Sequence, residues 1–545
     1  MEGGPFLEQG KFKRKLNLAD MTFLGLGSII GSGWLFSAMA ASQDAGGVAW
    51  TGWVFGAVAV LFIGLVYAEL GAAWPRSGGV IRYPEFSHGS LAGFMNGFAY
   101  LLATSSVAGI EASAVRQYAA YYIPALTVPH STSGNYTALG LLVEIVFLVL
   151  FFLVNYWSVN LFGKVNSVVT LLKFILPLLT IVILFTQFHP HNFSIGGSHP
   201  GGLSGVLISL PGAGIVFSFL GFRQPVEFAG EAKNPQRTVP MAIILSLLIG
   251  AVIYILLQIV FIGAIPASQL HHGWAGLTFT SPFANVALLL GFGWLAALLF
   301  ADAVLSPAGT GNIYLSSTAR MSYAWSKNGY FYSIFSKVDP KTGLPRPAIV
   351  LSLILAVVWI LPANFHSWAG LVTAVTSATV LTYVLGPVSL SSLRKSAPDA
   401  NRPFKLAGHK IIAPLAFVAG TWIVFWSGWT TDRILIAMTL GSLILYFAFM
   451  DKGPESLARL KRDWKAGIWV IAYYIVMGIM TYISGVFGPM KHPLIPGPVT
   501  DSIVVGIISL GFYYWGVASR LPNAQIASDA EEDLNVDQPI TSIGS

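Results

Sequence analysis

The chain has no cysteine among its 545 residues. Disulfides and thiolate metal sites are therefore excluded, although that absence does not fix the compartment. Charge is scarce as well: 10% of the residues are Asp, Glu, Lys or Arg, against 55% that are hydrophobic. A water-facing surface needs more charge than this, so a string of soluble domains is excluded. The ten histidines form no metal-ligand cluster in the sequence, and neither a P-loop nor a nucleophile elbow is present. These gaps argue against an enzyme and imply neither ATP nor a bound cofactor.

Hydrophobic length is what the chain does have. Runs of about 20 apolar residues recur, each enough to cross a hydrocarbon core of roughly 30 Å. The pattern predicts an all-α multi-pass membrane protein of about fourteen helices, near 21–41, 48–72, 91–121, 137–158, 164–187, 204–231, 240–264, 285–317, 347–364, 367–391, 411–429, 433–451, 467–488 and 500–519. Basic residues precede the first segment, but it is too long for a signal h-region and lacks a clear cleavage site, so it reads as the first helix. The net charge of +7 reads as topology rather than as affinity for nucleic acid. Arg76, Arg82, Lys164, Lys233, Arg237 and the basic stretches after Arg320, Arg394 and Lys452 fall in alternate loops, while the opposite loops hold Arg433 and Lys491. The positive-inside rule then predicts a cell-membrane protein with both termini cytoplasmic. Residues 1–15 and 521–545 lack a hydrophobic period and read as tails, the second one acidic.

Two helices are interrupted by glycine: the first at Gly25-Leu-Gly-Ser-Ile-Ile-Gly31-Ser32-Gly33, the sixth at Phe217-Ser-Phe-Leu-Gly221-Phe-Arg223-Gln-Pro225. A helix in lipid frees backbone groups only where they line a protected cavity. Paired interruptions in corresponding halves point to a transporter's substrate site, and a separation of five helices makes the two enter from opposite faces, as in inverted repeats. Around Ile30, Gly31, Ser32 and Gly33 the restarting half-helix offers unpaired N–H groups suited to a carboxylate; close helix packing is the competing reading. Around Gly221 and Pro225, carbonyls of Phe217, Ser218 and Leu220 are candidates to face a substrate ammonium, the alternative being a simple proline kink.

Charged residues inside the spans sharpen this. Arg223 lies roughly 15 Å deep, counted from Lys233 at 1.5 Å per residue, where arginine costs about 2.5–3.5 kcal/mol without a cavity or partner. It suits a second substrate carboxylate, or an ion pair with Glu227 one turn later. Lys173 lies roughly 13 Å deep, and desolvation favours its neutral amine, which makes proton release possible; a fixed charge pinned by carbonyls is the alternative. Asp302 is a candidate proton relay, partner of Lys173 or Arg223, or helix cap. Glu111, Arg116 and Glu144 suit an outer gate or a structural network. Trp34 and Phe222 are candidate gating aromatics, or packing anchors.

Three stretches resemble the amino acid-polyamine-organocation (APC) permeases: Gly27-Ser-Ile-Ile-Gly-Ser-Gly-Trp34, Tyr67-Ala-Glu-Leu-Gly through Gly79, and Phe219-Leu-Gly followed by Gly230-Glu-Ala-Lys-Asn-Pro-Gln-Arg-Thr-Val-Pro240. The resemblance implies a LeuT-type fold, with two inverted five-helix repeats over 16–393 and four further helices over 394–520. It also implies that Lys173 replaces a sodium ion at the contact of helices 1 and 8 and carries the coupling proton, and that Glu69, Glu231 and Arg237 close the inner pathway, with charges solvated at helix ends as the competing reading for these three. The chain departs from many such permeases in having fourteen helices and in placing Arg223 where glutamate is common. It looks most similar to the branch containing aspartate:proton symporters. That implies proton-coupled symport of L-aspartate or L-glutamate, with H⁺ as coupling ion and no other cofactor. A neutral or basic amino acid symporter or exchanger, a nutrient sensor and an ion channel remain as alternatives.

Overall fold

The computed structural model describes residues 16–75, 79–129, 134–157, 173–195, 201–229, 232–327, 330–339, 344–362, 366–449, 454–495 and 497–524. The expected tail 1–15, the gating candidate Glu231 and the acidic stretch from 525 lie outside them. Among the described residues there are helices and three isolated β-bridges, with no strand.

Among the described residues fourteen numbered helices run in order, three of them in two pieces. α1 is split into Leu18–Ile29 and Gly33–Ala45, followed by α2 (Ala49–Ala73), α3 (Ser90–Ala119), α4 (Ala138–Trp157) and α5 (Lys173–Phe185). α6 is a pair bent by 45°, Gly202–Gly212 and Phe217–Glu227, and α7 (Pro235–Ala264), α8 (Gly293–Lys327), α9 (Arg346–Ile360) and α10 (Trp368–Ser396) follow. The C-terminal set is α11 (His409–Trp426), α12 (Trp429–Gly441 continued by Leu443–Phe449), α13 (Pro454–Ile483) and α14 (Pro498–Ala518). Short helices Gly79–His88 and Pro282–Leu289 lie between spans. Among the described residues, ten stretches are long and apolar enough by themselves to cross a membrane, and eleven when the bent pair counts as one.

Local chemistry explains the boundaries. At the start of α1, the Asn17 side chain accepts from the Asp20 N–H at 3.0 Å while the Asp20 carboxylate accepts from the Asn17 N–H at 2.9 Å, a reciprocal cap. α7, α9 and α14 begin with proline in the first turn, where its missing N–H leaves no bond unmade.

The chain has a LeuT-type architecture. α1 packs on α6, α2 on α7, α3 on α8 and α4 on α9, so the first four helices of the first repeat each meet their counterpart five helices on. α3 and α10 form the centre: 94% of the apolar window of each is buried, against 28% for α4, which turns Leu142, Val146, Val149 and Leu150 outward. That outward apolar face fits acyl chains rather than water. α11 packs on α10 and α14, and α12 on α13, which extends the ten-helix core on one side.

Candidate functional site

The break in α1 occupies Ile30 to Ser32. The Ile30 N–H still reaches the Leu26 carbonyl at 2.9 Å, but its ψ of 87° turns the chain out of the helix. Helix resumes at Gly33 with no side-chain cap from Ser32. Its exposed N-terminal amide is met from another helix: the Ser32 N–H donates to Glu111 Oε2 of α3 at 2.9 Å. The Ser32 hydroxyl accepts from the Trp368 indole of α10 at 2.8 Å. A carboxylate at the positive end of a half-helix is electrostatically favoured. Glu111 is fully buried, and its Oε1 has no hydrogen-bond partner.

The break in α6 lies earlier than Gly221 and Pro225 suggest. Gly214 adopts φ 77°, in the left-handed region open to glycine, and a side chain there would also meet Val372, Ser37 and Trp368 within 3 Å. Phe217–Arg223 then winds as a tight 3₁₀ run, and Pro225 sits in the first turn of Gln224–Glu227, where it breaks nothing. Gly221 serves a different purpose. It lies directly on the backbone of Ser28 and Ile29, where an added Cβ would stand 2.7 Å from the Ser28 oxygen. Gly33 likewise abuts Ser218, so the two broken helices touch at two points where a larger residue has no room. The Ser218 hydroxyl is turned to the Gly214 carbonyl at 2.9 Å, and the Leu220 carbonyl accepts from the Tyr383 hydroxyl at 3.3 Å.

Between these contacts lies a small cavity. Ser28, Ile29 and Gly31 of α1 and Phe217 and Leu220 of α6 form one wall; Val107 and Glu111 of α3, Thr310 and Tyr314 of α8 and Thr379 of α10 form the rest. Its free room, about 10 Å³, matches a single water. An amino acid enters only if the walls part. Of the nine substrate-binding candidates, Gly31, Phe217 and Leu220 line this space, while Ile30, Ser32, Gly33, Ser218 and Gly221 hold the breaks together around it.

Lys173 is buried beside the same seam. Its ammonium donates to the Gly27 carbonyl of α1 at 2.9 Å and to the Thr310 hydroxyl of α8 at 2.7 Å, which ties α1, α5 and α8 at one atom. Asp302 lies one layer away on α8. One of its oxygens accepts from the Ser306 hydroxyl at 2.9 Å and the other has no partner. Trp34 is buried against Phe283 with ring centroids 5.6 Å apart, and Phe222 against Tyr383 at 5.1 Å; neither lines the cavity.

Arg223 is also buried and also absent from the cavity wall. Its Nε approaches Glu227 Oε1 at 3.2 Å, and the guanidinium lies between the rings of Tyr100, at 4.7 Å, and Tyr314, at 5.1 Å. The Glu227 contact misses hydrogen-bond geometry, so Nε, Nη1 and Nη2 all lack an acceptor.

On the face that carries the basic loops, Glu69 finds partners that spacing does not reveal. Its carboxylate accepts from the Arg394 guanidinium of α10 and from the Leu406 N–H at 2.7 Å, with Arg402 at 3.6 Å. Arg394 also donates to His409 Nδ1 at 2.8 Å, so that nitrogen is unprotonated. Arg237 is exposed, and none of the described ion pairs includes it. At the other face Arg116 donates to Glu144 at 2.8 Å, to the Gly134 carbonyl at 2.8 Å and to the Thr127 hydroxyl at 3.2 Å, clasping α3 to α4 and the loop between them.

Residues 16–477 match the sequence profile of the amino acid permease family. The chain belongs to that family, within the APC superfamily. This permease is similar to the aspartate-proton symporter of Bacillus subtilis (strain 168), 43% identical over 526 residues, which cover 96% of this chain and 99% of that protein. It is also similar to the glutamate/serine transporter AimA of the same organism, 40% identical over 526 residues and 95% and 96% of the two chains. The branched-chain amino acid permease BcaP of that organism is 30% identical over 450 residues, 81% of this chain and 94% of that one. The permease is therefore a membrane transporter of amino acids rather than an enzyme.

Ser28, Ile29, Val107, Glu111, Thr310, Tyr314 and Thr379 line the cavity without being among the substrate candidates read from the breaks. The signal for Glu111 was its setting. It stands among Ala108, Gly109, Ala112, Ser113 and Ala114, and a span so rich in small residues packs against protein, not lipid.

Proposed function

We propose that this permease carries an acidic amino acid, L-aspartate or L-glutamate, into the cell together with protons across the plasma membrane, with both termini cytoplasmic. The observation that carries this reading is the pairing of two ionisable groups at the breaks: Glu111 on the Ser32 N–H and Lys173 on the Gly27 carbonyl. A substrate α-carboxylate suits the N-terminal amide that Glu111 now holds. Glu111 must therefore move or take a proton as the substrate arrives, which links the two events at one atom. Protonated Lys173 holds α1 to α8, and loss of its proton removes that tie. Proton occupancy and movement of the first half of α1 are thus coupled, as a ligand shifts an equilibrium through differential affinity for two states. Asp302 is a further proton acceptor on this route. Two relatives whose names carry aspartate and glutamate support the acidic substrate.

A neutral amino acid is the second reading. It is favoured by the pairing of Arg223 with Glu227 and by a cavity whose polar groups besides Glu111 are hydroxyls.

The test is uptake of radiolabelled L-aspartate into proteoliposomes with and without an inward proton gradient, at matched sodium and with other amino acids as competitors. Gradient-driven accumulation blocked by acidic amino acids is expected. No aspartate uptake by protein that accumulates a neutral amino acid overturns the acidic reading, and accumulation indifferent to the proton gradient overturns the coupling.

A further inference from the structure

The least satisfied group in the protein core is Arg223. Its side chain is 1% exposed, yet all three guanidinium nitrogens lack an acceptor. Next to it in the chain, neither side-chain atom of Gln224 makes a hydrogen bond of good geometry, nor does the Ser317 hydroxyl that approaches Glu227. Buried polar groups are almost always bonded, and a buried charge without full partners is strongly disfavoured. So many unmet donors on facing stretches of α6 and α8 mark a place built to receive a polar group in another state of the protein.

Position and chemistry identify the group. Arg223 follows the cavity residue Leu220 by three residues, about 6 Å along a 3₁₀ run, toward the face with the basic loops. The ring of Tyr314 lines the cavity on one side and lies against the guanidinium on the other. Glu227 approaches at Nε, while Nη1 and Nη2 have no acceptor, and that pair of nitrogens is the edge a carboxylate would take in the two-pronged geometry that arginine favours. Farther inward on α8, Arg320 lies exposed over the Phe228 ring at 4.8 Å.

We propose that Arg223, between Tyr100 and Tyr314, forms a second substrate site inward of the central cavity, which takes the side-chain carboxylate of a dicarboxylic amino acid once Tyr314 swings aside. The site rests on the acidic reading of the substrate given above. In the closed state Glu227 holds the guanidinium's place. In the inward-open state the substrate carboxylate joins or replaces it, and release to the cytoplasm restores the pair. Arg223 then reads the side chain during exit and leaves first recognition at the outer face untouched.

The experiment compares the two faces. L-aspartate KM is measured in right-side-out and in inside-out vesicles for the wild type, for Arg223→Gln/Glu227→Gln, which removes both charges together, and for Glu227→Gln, which keeps the guanidinium. Losing a charge-assisted pair raises the inner-face KM of the double variant by about ten- to a hundredfold, with the outer-face KM within about twofold of wild type. Glu227→Gln lowers the inner-face KM by removing the competing carboxylate, and it decides the matter if the double variant does not fold. An equal rise at both faces assigns Arg223 to the central site and overturns the proposal. Unchanged KM at both faces with a fall in thermal stability makes the pair structural and overturns it as well. Wild-type vesicles that carry L-serine but not L-aspartate reject the acidic reading itself, a failure visible before any variant is made.

Discussion

Glu111→Gln tests whether the substrate and a proton compete at one half-helix. In the resting protein the carboxylate accepts the Ser32 N–H at 2.9 Å at the start of the second half of α1, with its other oxygen unpaired and the residue fully buried. Glutamine keeps the shape and an acceptor oxygen but removes the charge. A hydrogen bond to a charged group is worth about 1 kcal/mol more than a neutral one, and a carboxylate at a partly buried helix end adds up to about 2 kcal/mol. These overlap, so a total of about 1–2 kcal/mol holds Glu111 on Ser32 when it is ionised, or about five- to thirtyfold in affinity. An incoming α-carboxylate must displace that contact. Equilibrium binding of labelled substrate to purified protein across pH is the assay. In wild type, binding tightens as pH falls, because protonation weakens the hold of Glu111 on Ser32. In Glu111→Gln, binding at alkaline pH is tighter by about five- to thirtyfold and flat with pH, while gradient-driven accumulation is lost. Equal affinity and equal pH dependence in the two proteins would refute the competition. Weaker binding by the variant at every pH would make Glu111 a ligand of the substrate ammonium instead.

Three further outcomes follow from single contacts. Gly221→Ala drives a methyl into the Ser28 and Ile29 backbone, an overpacking of about 1–3 kcal/mol; uptake should fall at least tenfold in protein that still migrates as a monodisperse peak, and wild-type uptake would show that the two breaks need not touch. Lys173→Ala removes the tie between the Gly27 carbonyl and Thr310; exchange across the membrane should persist while uptake stops responding to an imposed proton gradient, and a preserved response removes Lys173 from coupling. Arg116→Ala leaves Glu144 buried without its partner, a loss of about 3–5 kcal/mol; a lower melting temperature with unchanged substrate KM in the surviving fraction is expected, and an altered KM would assign the clasp to the transport path.

The interruptions are legible in the sequence because glycine inside a lipid-length apolar run has few purposes, and α1 breaks at Ile30 to Ser32, within residues 25–33. Where α6 opens is not legible, since Gly221 and Pro225 are the stronger local signals. The deciding residue is Gly214, in Leu210-Pro-Gly-Ala-Gly214, and only the fold reveals that its φ is positive while Gly221 is needed for contact with α1. Partners far apart in the chain were beyond local periodicity. Glu69 pairs with Arg394, 325 positions later, and nothing in the spacing of either helix distinguishes that arginine from Arg237. Arg223 is the instructive case. Depth alone called for a cavity or a counter-ion, and the structure supplies the counter-ion in part: Nε approaches Glu227 at 3.2 Å, yet none of the three nitrogens has a hydrogen-bond acceptor. A charge that needed only neutralising would be fully bonded to its partner. One that must also receive and release a carboxylate each cycle is better left partly unbonded, because a guanidinium saturated by Glu227 would hold its own counter-ion too tightly to exchange it for the substrate's.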